Sequence, residues 1–370
     1  MIDLRTVRHF DPLIVLTGLA LVVYGLMLIY SGSQVAYPGG LEFGHPAVKQ
    51  LTFAVLGLAV MAAAAWLDYR TWGQMAGGLY LIALGLLMAV LVIGDAVYGS
   101  RRWFTFGGQQ VQASEIAKLL MIIVLARFLA DRQQRMHEMR VFIGSLAIAL
   151  PPAGLVLVEP DMGTAMVFGA VWIGMVVMGG APLRYVGVFL GLALALIPFA
   201  TLAVMGDYQR ERIQSWIDPG SDPLGGGFAI LQSEVGIGSG GLFGKGLTEG
   251  SQTQLNFVQT STTDYIFSVL GEELGLVGAL ILFALFILLL FRGIRAATLT
   301  QDPFGRLLAT GIVVMILFQV FINVAVNVRL LPVTGIPLPF VSQGGSSLLM
   351  LFAALGLLEG ILLRHKRLEF

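Results

Sequence analysis

The chain has 370 residues, of which 57% are hydrophobic and 12% are charged, and its 22 basic residues balance its 22 acidic ones. A soluble domain could not bury so large an apolar fraction in one core. The composition therefore excludes a water-soluble globular protein and indicates an integral membrane protein. Because the chain contains no cysteine, disulfide bonds, thiolate metal sites and a cysteine nucleophile are excluded as well.

Ten apolar stretches are long enough to cross a bilayer, which takes roughly 17 to 25 helical residues. None of them alternates with period two, so the strands of a membrane β-barrel are excluded. We predict a single all-α membrane domain over residues 1–370, a polytopic bundle of about ten transmembrane helices. The helices should begin near Leu13, Val48, Met75, Ser114, Val141, Met162, Leu183, Asp264, Phe304 and Ser346.

The distribution of positive charge predicts the orientation of this bundle. An even number of spans puts both termini on one side, and that side carries 14 of the 22 Lys and Arg residues. The positive-inside rule therefore predicts that both termini are cytoplasmic and that the connection between the seventh and eighth helices is outside. The residues counted are Arg5, Arg8, Arg70, Arg127, Arg132, Arg135, Arg140, Arg184, Arg292, Arg295, Arg306, Arg364, Lys366 and Arg367.

That connection, residues 205–262, is far longer than the few residues that ordinarily join two helices. Structureless connections of this length are usually functional. The connection leads to Asp264, a carboxylate at the start of the eighth helix. Placing an ionisable group at a membrane helix costs free energy, so such a residue usually has a function. We therefore predict that the working surface is extracytoplasmic and includes Asp264.

Charged residues also gather before and within the fourth helix. Glu115 and Lys118 lie three residues apart and share a helix face. They form either a local ion pair whose lysine reaches the membrane interface, or a cationic site for an anionic headgroup. Arg101 and Arg102 precede them beside Trp103, where an aromatic interface anchor explains the tryptophan but not the two cations.

Two further connections on the predicted outer side carry polar groups. Asp161 is either a plain N-cap of the sixth helix or part of a polar cavity shared with the other ionisable residues at that depth. Ser342 and Ser346 flank Gly344-Gly345 at the start of the tenth helix, where free N–H groups suit phosphate oxygens. An ordinary serine-capped turn is the simpler alternative for this segment.

Two polar pairs inside helices have structural explanations. Glu272 and Glu273 are expected to pair with a buried arginine or with backbone groups rather than to do chemistry. Asn323 and Asn327, four residues apart, are expected to form hydrogen bonds between helices. A transporter is expected to have internal repeats and a binding site at the membrane midplane. The sequence has no convincing internal repeat, and its remaining polar groups cluster away from the midplane, so a transporter is not favoured. An amphiphile with a phosphorylated headgroup is therefore the ligand that the residues favour.

Several motifs together resemble the SEDS family, and most closely its RodA branch, over nearly the whole chain. Two positions depart from the family pattern: Gln259-Thr260 stand where Pro-Glu is usual, and Gln343 stands where an aromatic residue is common. The motifs are Arg101-Arg102-Trp103, Ser114-Glu115-Ile116-Ala117-Lys118, Asp218-Pro219, Asp222-Pro223, Gly225-Gly226-Gly227-Phe228, Gln232-Ser233, Ile237-Gly238-Ser239-Gly240-Gly241, Gly244-Lys245-Gly246, Thr263-Asp264-Tyr265-Ile266-Phe267, Gly271-Glu272-Glu273-Leu274-Gly275 and Pro339-Phe340-Val341-Ser342.

The resemblance implies a peptidoglycan glycosyltransferase that polymerises lipid II on the outer face of the bacterial cytoplasmic membrane, in cell elongation and shape. Its implied partners are lipid II, the growing glycan–polyprenyl pyrophosphate and a class B penicillin-binding protein, the transpeptidase that crosslinks the product. A divalent cation, Mg or Mn, would assist. We expect no organic cofactor and no nucleic acid. A flippase for the same lipid and a scaffold for the transpeptidase are the alternatives.

In this chemistry the acceptor hydroxyl needs a base and the pyrophosphate leaving group needs positive charge. We assign Asp264 as the general base of an inverting displacement. Glu115 and Asp161 are expected to hold the metal or to orient the nearby lysine. The residues expected to bind the pyrophosphate are Lys118, Arg101, Arg102, Ser342 and Ser346.

Overall fold

The computed structural model describes most of the chain. Some residues singled out in the sequence lie outside the described residues. They are the basic residues Arg5, Arg8, Lys366 and Arg367, Met205 at the start of the long connection, the motif Asp222-Pro223, and Gln259, one of the departures from the family pattern. The described residues are 9–38, 40, 42, 44–97, 100–106, 109–203, 207–221, 225–255, 257–258 and 260–365.

In the part of the chain that the structure describes, ten long helices form the bundle, and each begins within a few residues of the predicted position. Seven of them are long and apolar enough to cross a membrane; the exceptions are α5, α7 and α8. The all-α polytopic prediction is therefore confirmed. The ten are α1 Pro12–Ser33, α2 Pro46–Trp66, α4 Ala76–Ile93, α5 Ala113–Ala130, α6 Met139–Val158, α7 Met162–Met178, α8 Leu183–Ala203, α12 Ile266–Leu299, α13 Pro303–Asn327 and α14 Gly345–Arg364.

Shorter elements that the sequence did not predict occupy the connections. Helix α3 (Tyr69–Gln74) links α2 to α4. The described residues of the long connection include three α-helices, so this connection is not structureless. A three-stranded antiparallel sheet lies between α4 and α5. The three helices are α9 Asp207–Ile217, α10 Gly226–Gly240 and α11 Ser251–Gln254. The strands are β1 Asp95–Val97, β2 Ser100–Phe106 and β3 Gln109–Gln112.

Both ends of the described chain meet at one end of the bundle, hereafter the terminal end. The rings of His9 and His365 lie 4.9 Å apart between centroids. Asp11 caps α1 through the N–H of Leu13 and also forms an ion pair with Arg292. The opposite end, which carries the long connection, is hereafter the loop end. This arrangement agrees with an even number of crossings.

Helix α5 lies in the centre of the bundle and contacts α4, α6, α7, α13 and α14. Most of its residues are buried, including the charged residues of its first two turns. Helix α14 packs closely on α2, where Gly356 faces the Met61 carbonyl and Gly57 faces the ring of Phe352. Small residues at such contacts let two membrane helices approach closely. The central position of α5 brings its polar start to the middle of the loop end.

Helix α12 is broken at Gly275, which has φ 63° and ψ −159°. The break frees backbone groups that cannot remain unpaired in a membrane. Segment 241–246 satisfies them: the N–H groups of Leu276 and Val277 donate to the carbonyls of Gly241 and Leu242, each at 3.0 Å. The first part of α12, residues 266–274, is therefore a short helical segment joined to the long connection.

Candidate active site

Asp264 lies just before α12, and its main chain is held by two asparagines of α13. The Nδ2 groups of Asn323 and Asn327 donate to the Asp264 carbonyl at 3.1 and 2.8 Å. Oδ1 of Asn327 accepts the backbone N–H of Ser268 at 3.0 Å, so a side chain of another helix caps α12. The expected hydrogen bonds between helices are present, and they fix the residue that the sequence singled out.

The residues before Asp264 are held by the start of the α14 connection. The Ser342 hydroxyl donates to the Thr263 carbonyl at 2.6 Å and accepts the N–H of Leu338 at 2.9 Å. The N–H of Gln343 donates to the Thr262 carbonyl at 2.8 Å. Because the proton of Ser342 is already donated, this hydroxyl orients the chain before Asp264 and has no proton left to donate to a phosphate.

Three charged side chains act electrostatically on Asp264. Burial is the largest influence and raises the pKa of its half-buried carboxyl. Of the three charges, Arg212 has the largest effect and lowers this pKa, Asp161 raises it, and Arg102 lowers it. Within the part of the chain that the structure describes, the Asp264 carboxylate accepts no hydrogen bond. Its oxygens thus remain available to an acceptor hydroxyl.

Arg212 is the functional candidate that sequence reasoning missed. It lies on α9 in the long connection, and its Nη1 donates to the Val333 carbonyl at 3.1 Å. Trp216 of the same helix donates to the Arg329 carbonyl at 3.0 Å, so α9 is docked on the connection between α13 and α14. The only signal in the sequence was a basic residue on the side predicted to be poor in positive charge.

Asp161 is an N-cap, one of the two alternatives drawn from the sequence, and it also belongs to a polar network. It caps α7, because Oδ1 accepts the N–H of Thr164 at 3.0 Å and Oδ2 accepts the hydroxyl at 2.9 Å. Oδ2 also accepts Nε2 of Gln112 at 3.1 Å, and the N–H of Gln112 donates to Oγ of Ser346 at 3.3 Å. Asp161, Ser346 and the start of α5 are therefore linked in one polar network beside Asp264.

The two predicted arginines have different surroundings. Arg102 is buried, and it donates from Nε to the Glu159 carbonyl at 2.8 Å and from Nη2 to the Pro160 carbonyl at 2.5 Å. These bonds orient the turn that carries Asp161. Arg101 is exposed and donates to the Val92 carbonyl at 3.4 Å. Of the two arginines, Arg102 and not Arg101 is among the charged residues that act on Asp264.

Glu115 and Lys118 form a buried ion pair, with Lys118 Nζ 2.7 Å from Glu115 Oε1 and both side chains at most 4% exposed. The lysine therefore does not reach the interface. Glu115 and Asp161 were predicted either to hold a metal or to orient Lys118, and the bond between Glu115 and Lys118 agrees with the second role. Asp161 binds Thr164 and Gln112. Among described residues, no three His, Cys, Asp or Glu side chains come together as a metal site.

The fold and the site define a polytopic membrane protein with a cluster of polar and charged residues at one end of its bundle. A family model described as "Cell cycle protein" and labelled FtsW/RodA/SpoVE matches residues 11–367. The chain therefore belongs to this family, which confirms the recognition of a SEDS, RodA-like protein from the sequence.

Relatives of known sequence match along almost their whole length. The chain is 39% identical over 361 residues to the peptidoglycan glycosyltransferase MrdB of Escherichia coli K12, covering 98% of this chain and 95% of the relative. It is 38% identical over 373 residues to the probable peptidoglycan glycosyltransferase FtsW of Geobacter metallireducens, covering 99% and 98%.

Solved structures agree with these sequence matches. One chain of a peptidoglycan synthase complex that coordinates polymerization and crosslinking superposes with a TM-score of 0.79 at 32% identity, covering 96% of this chain and 98% of that one. The rod shape determining protein RodA of Thermus thermophilus gives a TM-score of 0.70 at 30% identity, covering 97% and 98%. The likeness extends over the whole bundle and the loop end.

Glu159 is a buried carboxyl that no predicted role uses. It is 1% exposed, and neither of its oxygens has a hydrogen-bond partner among the described residues. Burial raises its pKa to about 8; nearby Asp161 contributes to the rise, and Arg102 opposes it. The carboxyl is therefore mostly protonated in the native state at neutral pH.

We expect Glu159→Gln to stabilise the protein at neutral pH. The native pKa of about 8 exceeds the unfolded value, so native stability falls as pH rises from the unfolded pKa toward 8. The neutral glutamine removes that loss, which is about 1–3 kcal/mol at pH 7 after allowance for relaxation. Melting in detergent between pH 5 and 9 measures it, with the partly exposed Glu138→Gln at the other end of α6 as control. A wild-type pH dependence that persists in Glu159→Gln would contradict this account.

Proposed function

We propose that this protein is a peptidoglycan glycosyltransferase that polymerises lipid II into glycan strands and acts in cell elongation and shape. The observation that carries the proposal is Asp264, a half-buried carboxylate whose main chain is fixed, whose oxygens accept no hydrogen bond from the described residues, and on which the cations Arg102 and Arg212 act electrostatically. The names of the relatives, peptidoglycan glycosyltransferase and probable peptidoglycan glycosyltransferase, support the same activity.

The proposed reaction is a single displacement at an anomeric carbon. A sugar hydroxyl of the acceptor attacks that carbon, Asp264 takes the hydroxyl proton, and the bond to the pyrophosphate oxygen breaks. The new glycosidic bond forms on the opposite face, so the anomeric configuration inverts. The polyprenyl pyrophosphate leaves with an added negative charge, which nearby cations stabilise.

The candidate ligands of the pyrophosphate differ in how well their surroundings support binding. Arg102 and Arg212 have the strongest support, because both act electrostatically on Asp264. Ser346 accepts the N–H of Gln112, whose side chain binds Asp161, and Lys118 is paired with Glu115 on α5, the helix that follows Gln112. Arg101 and Ser342 have less support, since one is exposed away from the cluster and the other donates its proton to the backbone.

We further propose that the loop end faces outward from the bacterial cytoplasmic membrane and that both termini are cytoplasmic, as the positive charge at the terminal end predicts. The synthase complex among the structural neighbours supports a class B penicillin-binding protein as partner. The proposed divalent cation, Mg or Mn, would accompany the pyrophosphate, because Mg²⁺ is usually bound by few carboxylates together with substrate phosphates. The described residues form no ligand set for it, and no step above depends on it.

We expect Asp264→Asn to polymerise lipid II at least about a hundredfold more slowly, which is the lower range for loss of a general base. The asparagine keeps the shape of the side chain, so insertion, melting within a few degrees of wild type, and lipid II binding should persist. Purified protein with lipid II, read for polymer, measures the rate. Near-normal polymer from Asp264→Asn would remove it as the base, and a wild type that moved lipid II across liposomes without polymerising it would favour the flippase.

We expect the double variant Glu115→Gln/Lys118→Met to fold but to lose roughly tenfold or more in kcat/KM, as for loss of a charge-assisted hydrogen bond to the pyrophosphate. Lys118→Met alone is a poor test, because it leaves Glu115 as a buried unpaired charge at a cost of about 3–5 kcal/mol. Melting checks folding, and the double variant Arg127→Met/Asp131→Asn, which removes a partly exposed ion pair at the other end of α5, serves as the matched control. Wild-type kcat/KM in a stably folded double variant would show that Lys118 is purely structural.

A further inference from the structure

Glu272 closes a segment of the chain that contains Asp264. The buried Oε1 of Glu272 accepts the backbone N–H of Gln252, 20 residues earlier, at 2.8 Å. Its Oε2 accepts the N–H of Thr253 at 3.0 Å and the Thr253 hydroxyl at 2.9 Å. Glu272, a residue of α12, therefore caps α11. The two helices form the ends of the closed segment, with α11 at its start and α12 at its end.

A lysine from the motif Gly244-Lys245-Gly246 completes the cluster. Lys245 Nζ lies 2.8 Å from Glu272 Oε1, and the Ser251 hydroxyl lies 3.2 Å from the same oxygen. The backbone contributes too: the N–H groups of Lys245 and Gly246 donate to the carbonyls of Glu272 and Glu273, each at 3.0 Å. We call these side chains, with the N–H groups that Glu272 accepts, the Glu272 cluster.

The cluster lies where α12 most needs support. The break at Gly275 separates residues 266–274 from the rest of α12, leaving a segment of nine residues, roughly 13 Å at 1.5 Å per residue. Asn327 fixes its first turn through the N–H of Ser268. The Glu272 cluster and segment 241–246 fix its other end. Asp264 precedes this segment directly, so any shift or tilt of the segment moves the carboxylate.

We propose that Glu272, with Lys245, is a positioning residue for Asp264; this inference rests on the proposed function. The groups expected to hold the pyrophosphate, Arg102 and Lys118, lie on β2 and α5, outside the closed segment. Loosening the cluster therefore leaves substrate binding in place and displaces the base. Displacement by about 1 Å can lower a rate by roughly a hundredfold, so the effect falls on kcat and not on KM.

Glu272→Gln tests the proposal most sharply. A carboxamide has one acceptor oxygen and one NH₂ donor, so its donor must face the N–H of either Gln252 or Thr253. We expect kcat for lipid II polymerisation to fall by about tenfold to a hundredfold with KM within about twofold. We also expect faster amide hydrogen exchange across residues 252–265. Glu249→Gln, an exposed carboxylate in the same connection, is the matched control and should leave both readouts at wild-type values.

Substitutions of Lys245 keep the test decisive if Glu272→Gln does not fold. Lys245 is partly exposed, so Lys245→Met removes one donor from the cluster with little risk to folding, whereas Lys245→Arg keeps the cation. We expect the methionine variant to lose kcat and the arginine variant to restore most of it. An unchanged kcat in Glu272→Gln or in Lys245→Met would overturn the positioning role. Changes in kcat and KM that are in proportion to the loss of thermal stability would overturn it as well.

Hydrogen exchange separates a failure of this proposal from a failure of the proposed function. A wild type that makes no polymer from lipid II overturns the proposed function, and the cluster is then tested by exchange alone. Faster exchange across 252–265 in Glu272→Gln, with Glu249→Gln at wild-type exchange, supports the cluster. Unchanged exchange in Glu272→Gln overturns it whatever the activity.

Discussion

Two asparagine side chains hold the main-chain carbonyl of Asp264, and the rest of the loop end is arranged around that contact. A carboxylate at the end of a membrane helix loses solvation, and its neighbours must compensate without binding its oxygens if it is to act as a base. Asn323 and Asn327 meet this requirement because they bond the backbone. The side chain is left to the field of Arg212, Asp161 and Arg102.

The break in α12 makes the position of Asp264 depend on further contacts with the long connection. A continuous helix would carry Asp264 on 34 residues packed into the bundle, whereas the break at Gly275 leaves a short segment whose position depends on the long connection. Segment 241–246 replaces the lost helical hydrogen bonds, and Glu272 binds α11. The long connection is thus a structural part of the site.

The sequence predicted the features that depend on local composition. Ten apolar stretches predicted ten helices, and an acidic residue at the start of an apolar stretch indicated Asp264. The sequence did not predict contacts between distant residues. The role of Glu272 depends on N–H groups about 20 residues away, and Arg212 is recognisable only because α9 docks on the connection before α14. Ser342 was assigned to phosphate, but its hydroxyl proton is donated to the Thr263 carbonyl, a bond that spacing alone does not reveal.

The central claim is that Asp264 acts as an ionised base whose pKa its charged neighbours set. The pH dependence of lipid II polymerisation tests this claim most directly, in wild type, Arg212→Gln and Asp161→Asn. Because the base works only when ionised, the rate should rise with pH through a pKa above that of an ordinary aspartate. Loss of Arg212 should move this rise to higher pH, and loss of the Asp161 charge to lower pH. Three coincident profiles would contradict the account.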